Sequence, residues 1–600
     1  MGSISEKPSF QEAPIDERQF YPARQQDQPY VPRSNGQPPL ELSTPILVIG
    51  GGPVGLYLSI MLARHYRQQC MVVEQYTSTT VYPKMEFTNG RSMEYLRQIG
   101  LADDLRAIGV PEEYDLDEIF PTSLGPGGRN IATWKRYSPA EIRRRMKEQN
   151  DGSWAREPYL RLPQVMIENY LRGVVAKQEG IESHYGWKFV ELHEKEDAVY
   201  SLFFNLETSQ EMKVKSQYVV GSDGGGSRVR KCADLESERK ALDLNVIFVH
   251  FKTTDKHMFD TQGHFWHANM LNGGIIVNQN EKDTYTVHTI VPPGVELSHL
   301  KSSELVSRSM GGLLGPVDVN IELICRGEWK AQVAIADNFR SKGGRIFLAG
   351  DAAHQLSPVG GHGLNSGMGD VWDLSWKLAA VLKGWGGEGL LESYDIERRA
   401  VAFNNLAMVE KGIYEVFMPM LAMAAEFGAE QLHADTSEGE SARKQLEDHI
   451  AKHHWLHGQD GTSMGFRYNT SPIIAHDGEQ EPEYKVSTFI PSSWPGARAP
   501  QVLLKDGETS TYDLLQPGFN FFDFTPEGRI GRTFLTACDG TSVPMSLVHL
   551  PREDHVRDVW GRDVVLVRPD GHIGWRLPVD GAFEVKQVVD IVELVIGGKA

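Results

Sequence analysis

A glycine-rich turn between an apolar run and an amphipathic stretch most constrains the fold of this chain. Residues 45–50 read Pro-Ile-Leu-Val-Ile-Gly and residues 50–55 read Gly-Gly-Gly-Pro-Val-Gly. Apolar residues then recur with helical spacing over 56–66, and a second apolar run follows at 70–73. The pattern predicts a strand–helix–strand unit whose turn has the GxGxxG spacing typical of dinucleotide-binding folds.

The glycines of this turn have separate physical roles. Gly50 allows the tight turn, Gly52 lets the backbone approach a pyrophosphate, and Gly55 lets the helix pack closely on the strand. Glu74 ends the second apolar run, where a carboxylate accepts a hydrogen bond from a ribose hydroxyl and repels a 2′-phosphate. The site is therefore predicted to hold FAD or NAD rather than NADP.

Composition argues against several other classes of protein. The chain has 600 residues with 61 basic and 80 acidic side chains, a net charge of −19, and no long basic stripe, which argues against nucleic acid as a partner. No apolar run approaches the roughly 18 residues that span a bilayer, and no signal-peptide pattern begins the chain. The four cysteines form no close pair. We expect a cytoplasmic protein that acts on a small molecule, with no membrane partner.

Changes in composition along the chain predict its domains. Residues 1–40 are rich in Pro, Gln, Arg and Ser without periodicity, which predicts a disordered tail. Residues 41–430 are predicted to form the nucleotide-binding domain, with a β-rich substrate region inserted at about 236–340. A polar, histidine-rich stretch predicts a linker at 431–464, and short strands and turns predict a separate unit at 465–600.

Two further segments place a carboxylate at the end of a predicted strand. Residues 345–354 read Arg-Ile-Phe-Leu-Ala-Gly-Asp-Ala-Ala-His, and residues 218–230 read Tyr-Val-Val-Gly-Ser-Asp-Gly-Gly-Gly-Ser-Arg-Val-Arg. Asp351 and Asp223 thus stand where α/β folds bind ligands. Taken singly, each segment also fits a plain turn that contains an Asp.

Taken together and in this order, the three motifs resemble those of the class A flavoprotein monooxygenases, which hydroxylate aromatics. The resemblance covers about 45–425 and includes Pro-Lys-Met-Glu-Phe-Thr-Asn-Gly-Arg-Ser-Met-Glu at 83–94, Arg-Leu-Pro-Gln at 161–164 and Pro-Val-Gly-Gly-His-Gly-Leu-Asn at 358–365. It implies an α/β, p-hydroxybenzoate hydroxylase-like fold, in which a Rossmann-like FAD-binding domain is interleaved with a β-sheet substrate domain.

The C-terminal unit resembles the thioredoxin-like domain of the phenol hydroxylase branch of that family. The motifs that carry this resemblance include Gly-Phe-Arg-Tyr at 465–468 and Asp-Val-Val-Leu-Val-Arg at 563–568. Cys538 is the only cysteine of the unit, which excludes dithiol redox chemistry. The resemblance further implies a homodimer.

The resemblance implies FAD and NAD(P)H as cofactors. In the family, the residue matching Asp351 contacts FAD, and the segment of Asp223 lies between FAD and the incoming NAD(P)H. A helix beginning near Asn365 would direct its N-terminal amides at the flavin N1–C2=O edge, where negative charge collects on reduction. The residues expected to bind FAD are Gly50, Gly52, Gly55, Glu74, Arg91, Gln164, Asp223, Asp351, Pro358, Gly363, Leu364 and Asn365.

The implied reaction is hydroxylation of a phenolic or polyketide-like aromatic by NAD(P)H and O₂ through a C4a-hydroperoxyflavin. Oxygen transfer to a ring is easier from a phenolate, so a base should lie near the substrate hydroxyl. Glu86 aligns with the catalytic Asp of phenol hydroxylase-like members, and Tyr285 and His288 are the other catalytic candidates. Three histidines of the same β-region, which are more often structural than catalytic, are His250, His264 and His267.

The motifs leave other reactions open. The same scaffold supports Baeyer–Villiger or dearomatising oxygenation, and a flavin dehydrogenase or oxidase that inserts no oxygen is a further alternative. The histidines at 449, 453, 454 and 457 have partly helical spacing but no acidic or thiolate co-ligands nearby in the sequence. No metal site is therefore predicted.

Overall fold

The computed structural model describes residues 36–598 apart from 256, 261, 292–294, 296–299, 579–582 and 585. The predicted tail lies outside these residues up to position 35, and Leu40 already begins the first strand. None of the helices in the described part of the chain is long and apolar enough to cross a membrane.

A seven-stranded sheet forms the centre of the nucleotide-binding part. Its strand Leu40–Ile49 pairs in parallel with Cys70–Glu74 on one side and with Glu211–Gly221 on the other. The helix Pro53–Ile60 connects the first two of these strands, which confirms the predicted strand–helix–strand unit. The other strands of this sheet are Ile181–Tyr185, Trp187–Glu194, Val199–Asn205 and Ile346–Leu348.

An eight-stranded sheet provides the second layer of the fold. Its longest strands, Ser237–Lys252 and Glu322–Ala336, pair antiparallel with two register shifts. Two of its strands, Glu118–Pro121 and Asn130–Trp134, come from far upstream of the predicted substrate region at about 236–340. Its remaining strands are His267–Asn269, Gly274–Asn278, Thr284–Val291 and His354–Gln355. A separate short ladder pairs Phe87–Thr88 with Leu160–Arg161.

The C-terminal region forms a four-stranded mixed sheet with helices, as expected for a thioredoxin-like domain. Phe519–Asp523 pairs in parallel with Met545–His549 and antiparallel with Val564–Val567, which in turn pairs with Ile573–Arg576. The helices of this region are Arg529–Cys538, Asp554–Trp560 and Gln587–Val595. Helices elsewhere in the described chain are Gly90–Gln98, Ala102–Ile108, Pro139–Gln149, Gln164–Val175, Arg228–Cys232, His257–Asp260, Ser302–Gly311, His362–Leu382, Glu388–Lys411 and Met418–His433.

The segment predicted as a linker, 431–464, is mostly helical and packs on the second sheet. It contains the helices Ser437–Lys452 and Asp460–Met464. Ala442, Leu446 and Ile450, spaced at four residues, are fully buried in one apolar cluster with Trp134. The Trp134 indole N–H donates to the Ile450 carbonyl at 2.7 Å. The charged residues between these positions occupy the opposite face of the helix. Because they outnumber the apolar residues, the composition of the segment did not indicate a buried helix.

A buried ionic cluster joins the C-terminal region to the two long helices 362–382 and 388–411. Arg568 donates to Glu397 at 2.6 Å and to Asp570 at 2.6 Å, and none of the three side chains is more than 2% exposed. Lys377 donates to the same Glu397 at 2.6 Å and to Asp373 at 2.7 Å. Because the charges alternate in sign and are hydrogen-bonded, each carboxylate depends on its cationic partners.

We expect Arg568→Met to destabilise the protein strongly. The substitution leaves the carboxylates of Glu397 and Asp570 buried without their shared guanidinium, at a cost of roughly 3–5 kcal/mol. The matched control is Arg557→Met in the same region, because Arg557 pairs with Asp563 where both side chains are 49% and 39% exposed and such pairs contribute about 1 kcal/mol or less. Thermal melts of the two variants should differ clearly, and equal melting temperatures would contradict the assignment.

Candidate active site

A cavity of about 960 Å³ lies between the two large sheets and holds most of the predicted site residues. One end is formed by the glycine-rich turn and the segments around Asp223 and Asp351, and the other by the second sheet and the segment 413–421. The described lining includes Gly50, Gly52, Glu74, Glu86, Gln164, Asp223, His288, Asp351, Pro358, Gly363 and Leu364.

The end of the cavity at the glycine-rich turn, Asp223 and Asp351 is called the nucleotide end. Its turn has the geometry that the glycines predict. Gly50 has φ +113°, and a Cβ there would lie 2.4 Å from the Ser222 carbonyl oxygen. A Cβ on Gly55 would lie 2.1 Å from the Gly50 carbonyl oxygen, so only glycine fits where helix and strand meet. A Cβ on Gly52, in contrast, would meet no atom within 4 Å. The space beside Gly52 is therefore open to a ligand.

Glu74 holds the glycine-rich turn by hydrogen bonds and also lines the cavity. Its carboxylate accepts hydrogen bonds from the Gly51 N–H at 2.6 Å and the Tyr76 N–H at 2.9 Å. Burial raises the pKa of Glu74, and these two hydrogen bonds and Arg172 oppose the rise. A Cβ on Gly51 would lie 2.7 Å from the Glu74 Cβ. The middle glycine is thus required by the acidic residue, a constraint that the motif alone did not reveal.

The two aspartates of the further motifs have different surroundings. Asp223 caps the helix Arg228–Cys232 by accepting from the Arg228 N–H at 2.7 Å and the Ser227 hydroxyl at 2.6 Å. Asp351 lies in a short turn whose preceding amide, Gly350 N–H, donates to Asp370 at 3.0 Å. Both aspartates line the cavity. The motif of Asp223 is therefore a helix cap that faces the cavity. The motif of Asp351 is a turn whose backbone is fixed by Asp370.

The helix His362–Leu382 follows the glycines at 360 and 361, and its N-terminus has no side-chain cap. It begins at His362, three residues before the predicted start, and Gly361 precedes it in the left-handed region with φ 67° and no side-chain cap. Unsatisfied N–H groups at a helix start favour negative charge. Asn365 does not belong to the described cavity lining, because its amide instead donates to the carbonyls of Phe87 at 3.1 Å and Gly361 at 2.8 Å.

Gln164 lines the cavity at the start of its own helix. Its amide donates to Glu168 at 2.6 Å, and its backbone N–H donates to the carbonyl of Met85 at 2.8 Å. The backbone contact fixes the segment that carries Glu86.

Arg91, one of the residues expected to bind FAD, points toward the C-terminal region. Its guanidinium is 3% exposed and is not among the described groups that line the cavity. It donates to Glu94 at 3.1 Å, to the Tyr512 hydroxyl at 3.1 Å and to the Asp570 carbonyl at 3.2 Å. The helix Gly90–Gln98 turns this side chain toward the C-terminal region, so Arg91 joins two parts of the protein.

Glu86 is paired with a histidine at the wall of the cavity. Its Oε1 lies 3.1 Å from His267 Nε2, and both side chains are partly exposed to the cavity. His267 Nδ1 lies 4.0 Å from Oε1 of Glu118, which also meets His457 Nδ1 at 2.9 Å. Burial alone would raise the pKa of Glu118, but His457, His267 and Asn269 outweigh it and lower the pKa to about 2. Glu118 is thus an anion between two imidazoles.

Tyr285 does not reach the cavity, because strand alternation turns it to the other face of the second sheet. Its ring stacks on Phe259 with centroids 4.0 Å apart in a buried apolar cluster. The opposite face presents Phe248 and His288 to the cavity. Burial lowers the pKa of His288 to about 4, so this imidazole is neutral at pH 7. Of these two catalytic candidates, His288 is among the described residues that line the cavity and Tyr285 is not, and the catalytic role of each stays a prediction.

The other two histidines of the β-region have structural surroundings. His250 Nδ1 lies 2.9 Å from the Thr286 hydroxyl, and burial lowers the pKa of His250 to about 4. His264 Nε2 lies 3.0 Å from Glu281, outside the described cavity lining.

Several residues of the cavity were not found from the sequence. Glu118 and Asn269 stand in short strands without a motif, and His457 stands in the segment predicted as a linker. Arg136 holds that segment in place by donating to the His457 carbonyl at 2.9 Å and to Asp460 at 2.6 Å. Glu118 stands in the run Leu-Asp-Glu-Ile-Phe at 116–120, which shows no alternation and does not specify a partner.

The residues at the nucleotide end fit FAD. The open space beside Gly52, the acidic Glu74 at the end of the second strand and the uncapped helix at His362 are features that suit a flavin dinucleotide. The same cavity continues to Glu86 and His267, so a bound flavin and a second ligand would share one space.

Comparison with known proteins agrees with this geometry. A family model for the FAD binding domain matches residues 43–408, and a model for the C-terminal domain of aromatic-ring hydroxylases matches residues 492–597. The FAD-dependent monooxygenase apdD of Emericella nidulans is 36% identical over 550 residues, covering 88% of this chain and 87% of the relative. Phenol 2-monooxygenase of a Pseudomonas species is 25% identical, covering 89% of this chain and 90% of the relative.

A solved structure supports the same assignment. The rebeccamycin biosynthetic enzyme RebC with reduced flavin superposes with a TM-score of 0.77 at 28% identity, covering 93% of this chain and all of the other chain. The chain therefore belongs to the class A flavoprotein monooxygenases with an aromatic-ring hydroxylase C-terminal domain. It is an FAD-dependent monooxygenase, and its interleaved domains and thioredoxin-like region confirm the predicted fold class.

We expect Gly52→Val to lose FAD without unfolding the apoprotein. A Cβ at this position meets no atom of the described protein within 4 Å, so the added side chain should obstruct a bound pyrophosphate rather than the protein's own packing. FAD affinity should fall at least about tenfold, the loss of roughly 1.4 kcal/mol. Calorimetric titration of apoprotein with FAD, with thermal melts of the apoprotein, measures both quantities. Gly55→Ala is the contrasting variant and should lower the melting temperature of the apoprotein itself.

We expect His354 to stabilise the protein more at low pH than at high pH. Its Nε2 lies 2.6 Å from Asp370. Burial alone would lower the pKa of His354, but Asp370 and Asp351 outweigh it and raise the pKa above 6.5. The stabilisation is therefore complete below pH 6.5 and is lost as the pH rises through the raised pKa. His354→Gln should lower the melting temperature more at pH 6 than at pH 9, whereas the exposed control His193→Gln should not.

Proposed function

We propose that the enzyme uses NAD(P)H and O₂ to hydroxylate a phenolic or polyketide-like aromatic. One oxygen atom enters the ring as a hydroxyl and the other leaves as water, while NAD(P)H is oxidised to NAD(P)⁺ and one proton is consumed. Bound FAD supplies the redox chemistry, since it accepts hydride and activates oxygen. The named activity of the phenol 2-monooxygenase relative supports a phenolic substrate.

The pair Glu86–His267 is the observation that carries this proposal. It combines a carboxylate and an imidazole at 3.1 Å on the wall of the same cavity that holds the FAD residues. Such a pair can take the proton of a substrate hydroxyl and so raise the electron density of the ring. Glu118 faces the other nitrogen of His267 at 4.0 Å and stabilises the imidazolium that proton transfer creates.

His288 serves this reaction in a different way. With a pKa of about 4 it is a poor base at pH 7 and stays neutral. It lies on the same cavity face as Phe248, whose ring centroid is 6.0 Å away. Its role in the proposal is to orient the substrate by a neutral hydrogen bond, while Glu86 and His267 exchange the proton.

The remaining lining is suited to an aromatic ligand and to the exclusion of water. Indole, phenyl, thioether and aliphatic groups surround the polar pair, namely those of Val246, Phe248, Trp266, Met270, Ile275, Ile290, Phe417 and Leu421. A pocket that excludes water protects reactive intermediates from hydrolysis. This distribution favours oxygen insertion over a simple flavin oxidase or dehydrogenase, whereas Baeyer–Villiger and dearomatising reactions share the same requirement. The predicted homodimer belongs to the same proposal, and light scattering of the full-length holoenzyme tests it.

The first test measures NADPH and NADH consumption by FAD-loaded protein in aerated buffer, with and without a panel of phenols. We expect one phenol to accelerate consumption and to give a product heavier by one oxygen in mass spectrometry. Consumption that yields only hydrogen peroxide with every phenol would favour an oxidase. A ring-expanded or dearomatised product of the same mass, distinguished by NMR, would favour the alternative oxygenations.

Substitutions at the polar pair test the assigned base. Glu86→Gln and His267→Gln should each lower the rate of product formation by about 10²-fold or more at neutral pH, the usual contribution of a positioned base. FAD content should not change. Tyr285→Phe is the matched control and should leave the rate within about twofold, because Tyr285 faces away from the cavity. A large loss in the control would restore Tyr285 as a catalytic residue.

A further inference from the structure

His457 lines the cavity and carries a buried polar atom without a hydrogen bond to any described residue, which the proposed reaction does not use. The residue is 5% exposed, and its Nε2 makes no hydrogen bond with any part of the chain that the structure describes. The side chain nevertheless lines the cavity. Buried ring nitrogens in native proteins are normally hydrogen-bonded, and an unpaired one in a residue of the cavity wall suits a partner supplied by a ligand bound in the cavity.

The contacts of His457 fix which nitrogen is available. Its Nδ1 lies 2.9 Å from Glu118 Oε1, and a carboxylate can only accept, so Nδ1 carries a proton. Asn269 donates to the other oxygen of Glu118 at 2.7 Å, which holds the carboxylate in place. The ring stacks on Trp134 at 24° with centroids 6.2 Å apart. Nε2 is therefore held in a defined direction, accepting when the ring is neutral and donating when it is charged.

Glu118 links the ring of His457 to the proposed base, the pair of Glu86 and His267. The same Oε1 that meets His457 lies 4.0 Å from His267 Nδ1, and His267 Nε2 meets Glu86 at 3.1 Å. A polar band of four side chains thus crosses an otherwise mostly apolar wall, with Glu86 at one end and His457 at the other. A ligand that satisfies both ends must carry two separate polar groups.

We propose that His457 is a substrate-binding residue that selects aromatics with two oxygen substituents. One is the ionisable hydroxyl received by Glu86 and His267, and the other is a hydrogen-bonding oxygen, such as the carbonyl of a hydroxyaryl ketone, received by His457 Nε2. This inference rests on the proposed function and narrows its substrate class. A simple alkylphenol fills only one end of the band and leaves His457 buried without a partner.

The test is a binding measurement that needs no turnover. Full-length, FAD-loaded, oxidised enzyme is titrated with the 2-, 3- and 4-hydroxyacetophenones and with the matching ethylphenols, and dissociation constants are read from the flavin absorbance change. Each pair differs by one carbonyl oxygen at nearly equal size. We expect at least one ketone to bind about tenfold more tightly than its ethylphenol, in keeping with one buried hydrogen bond to a polar group.

Variants assign that preference to one side chain. His457→Phe should bring the preferred ketone and its ethylphenol to within about twofold of each other, and His457→Gln, which keeps a donor and an acceptor, should retain part of the difference. Glu86→Gln should weaken the two ligands alike, because both carry the hydroxyl. The methyl ether of the preferred ketone should keep its dependence on His457 and lose its dependence on Glu86.

Three results would overturn the inference. They are equal binding of every ketone and its ethylphenol by the unmodified enzyme, a ketone preference that survives both His457 variants, and a loss of FAD affinity in His457→Phe without ligand. The last would mean that Nε2 contacts the flavin. If some aromatic is still oxygenated under any of these results, the proposed function stands and only the role of His457 fails. If no aromatic binds or gains an oxygen, the proposed function itself fails.

Discussion

The carboxylate of Asp370 holds together the parts of the FAD site that come from different regions of the chain. It is fully buried and accepts from the Gly350 N–H at 3.0 Å and from Arg398 Nε at 2.9 Å. Arg398 in turn donates to the Ser366 carbonyl and the Tyr468 hydroxyl, each at 3.2 Å. The turn that presents Asp351, the first turns of the helix 362–382 and the C-terminal region are thus bound to one ion pair, which is stable only while all its hydrogen bonds are made.

Contacts of the same kind give the C-terminal domain, which contains a single cysteine, a structural role. Cys538 is buried and has no second thiol beside it among the described residues of that domain. The domain instead supplies hydrogen-bonding groups to the back of the FAD-binding part, since the Asp570 carbonyl accepts from Arg91 at 3.2 Å and from the Trp372 indole at 3.0 Å. Its contribution is to fix the helices that shape the cavity.

Sequence reasoning succeeded where the backbone itself makes the site. The turn at Gly50 and the aspartates at 223 and 351 follow from local pattern, because strand ends and glycine conformations are set within a few residues. Local pattern does not determine in which direction a side chain points. Arg91 stands in a family motif yet faces the C-terminal region, and Tyr285 lies one residue out of phase with the cavity face of its strand.

The pair of Glu86 and His267, which lie 181 positions apart in the chain, shows a third kind of limit. The sequence identified each residue separately, and Glu86 only because it aligns with the catalytic Asp of phenol hydroxylase-like members. No local pattern predicts that the two residues are in contact. Three more long-range links follow in the same wall, since Glu118 meets His267, Asn269 and His457. Only the second sheet, with two strands from 118–134, and the packed helix 437–452 bring these segments to one place. The chemistry of the substrate end therefore depends on tertiary contacts between segments that separately contain only ordinary polar residues.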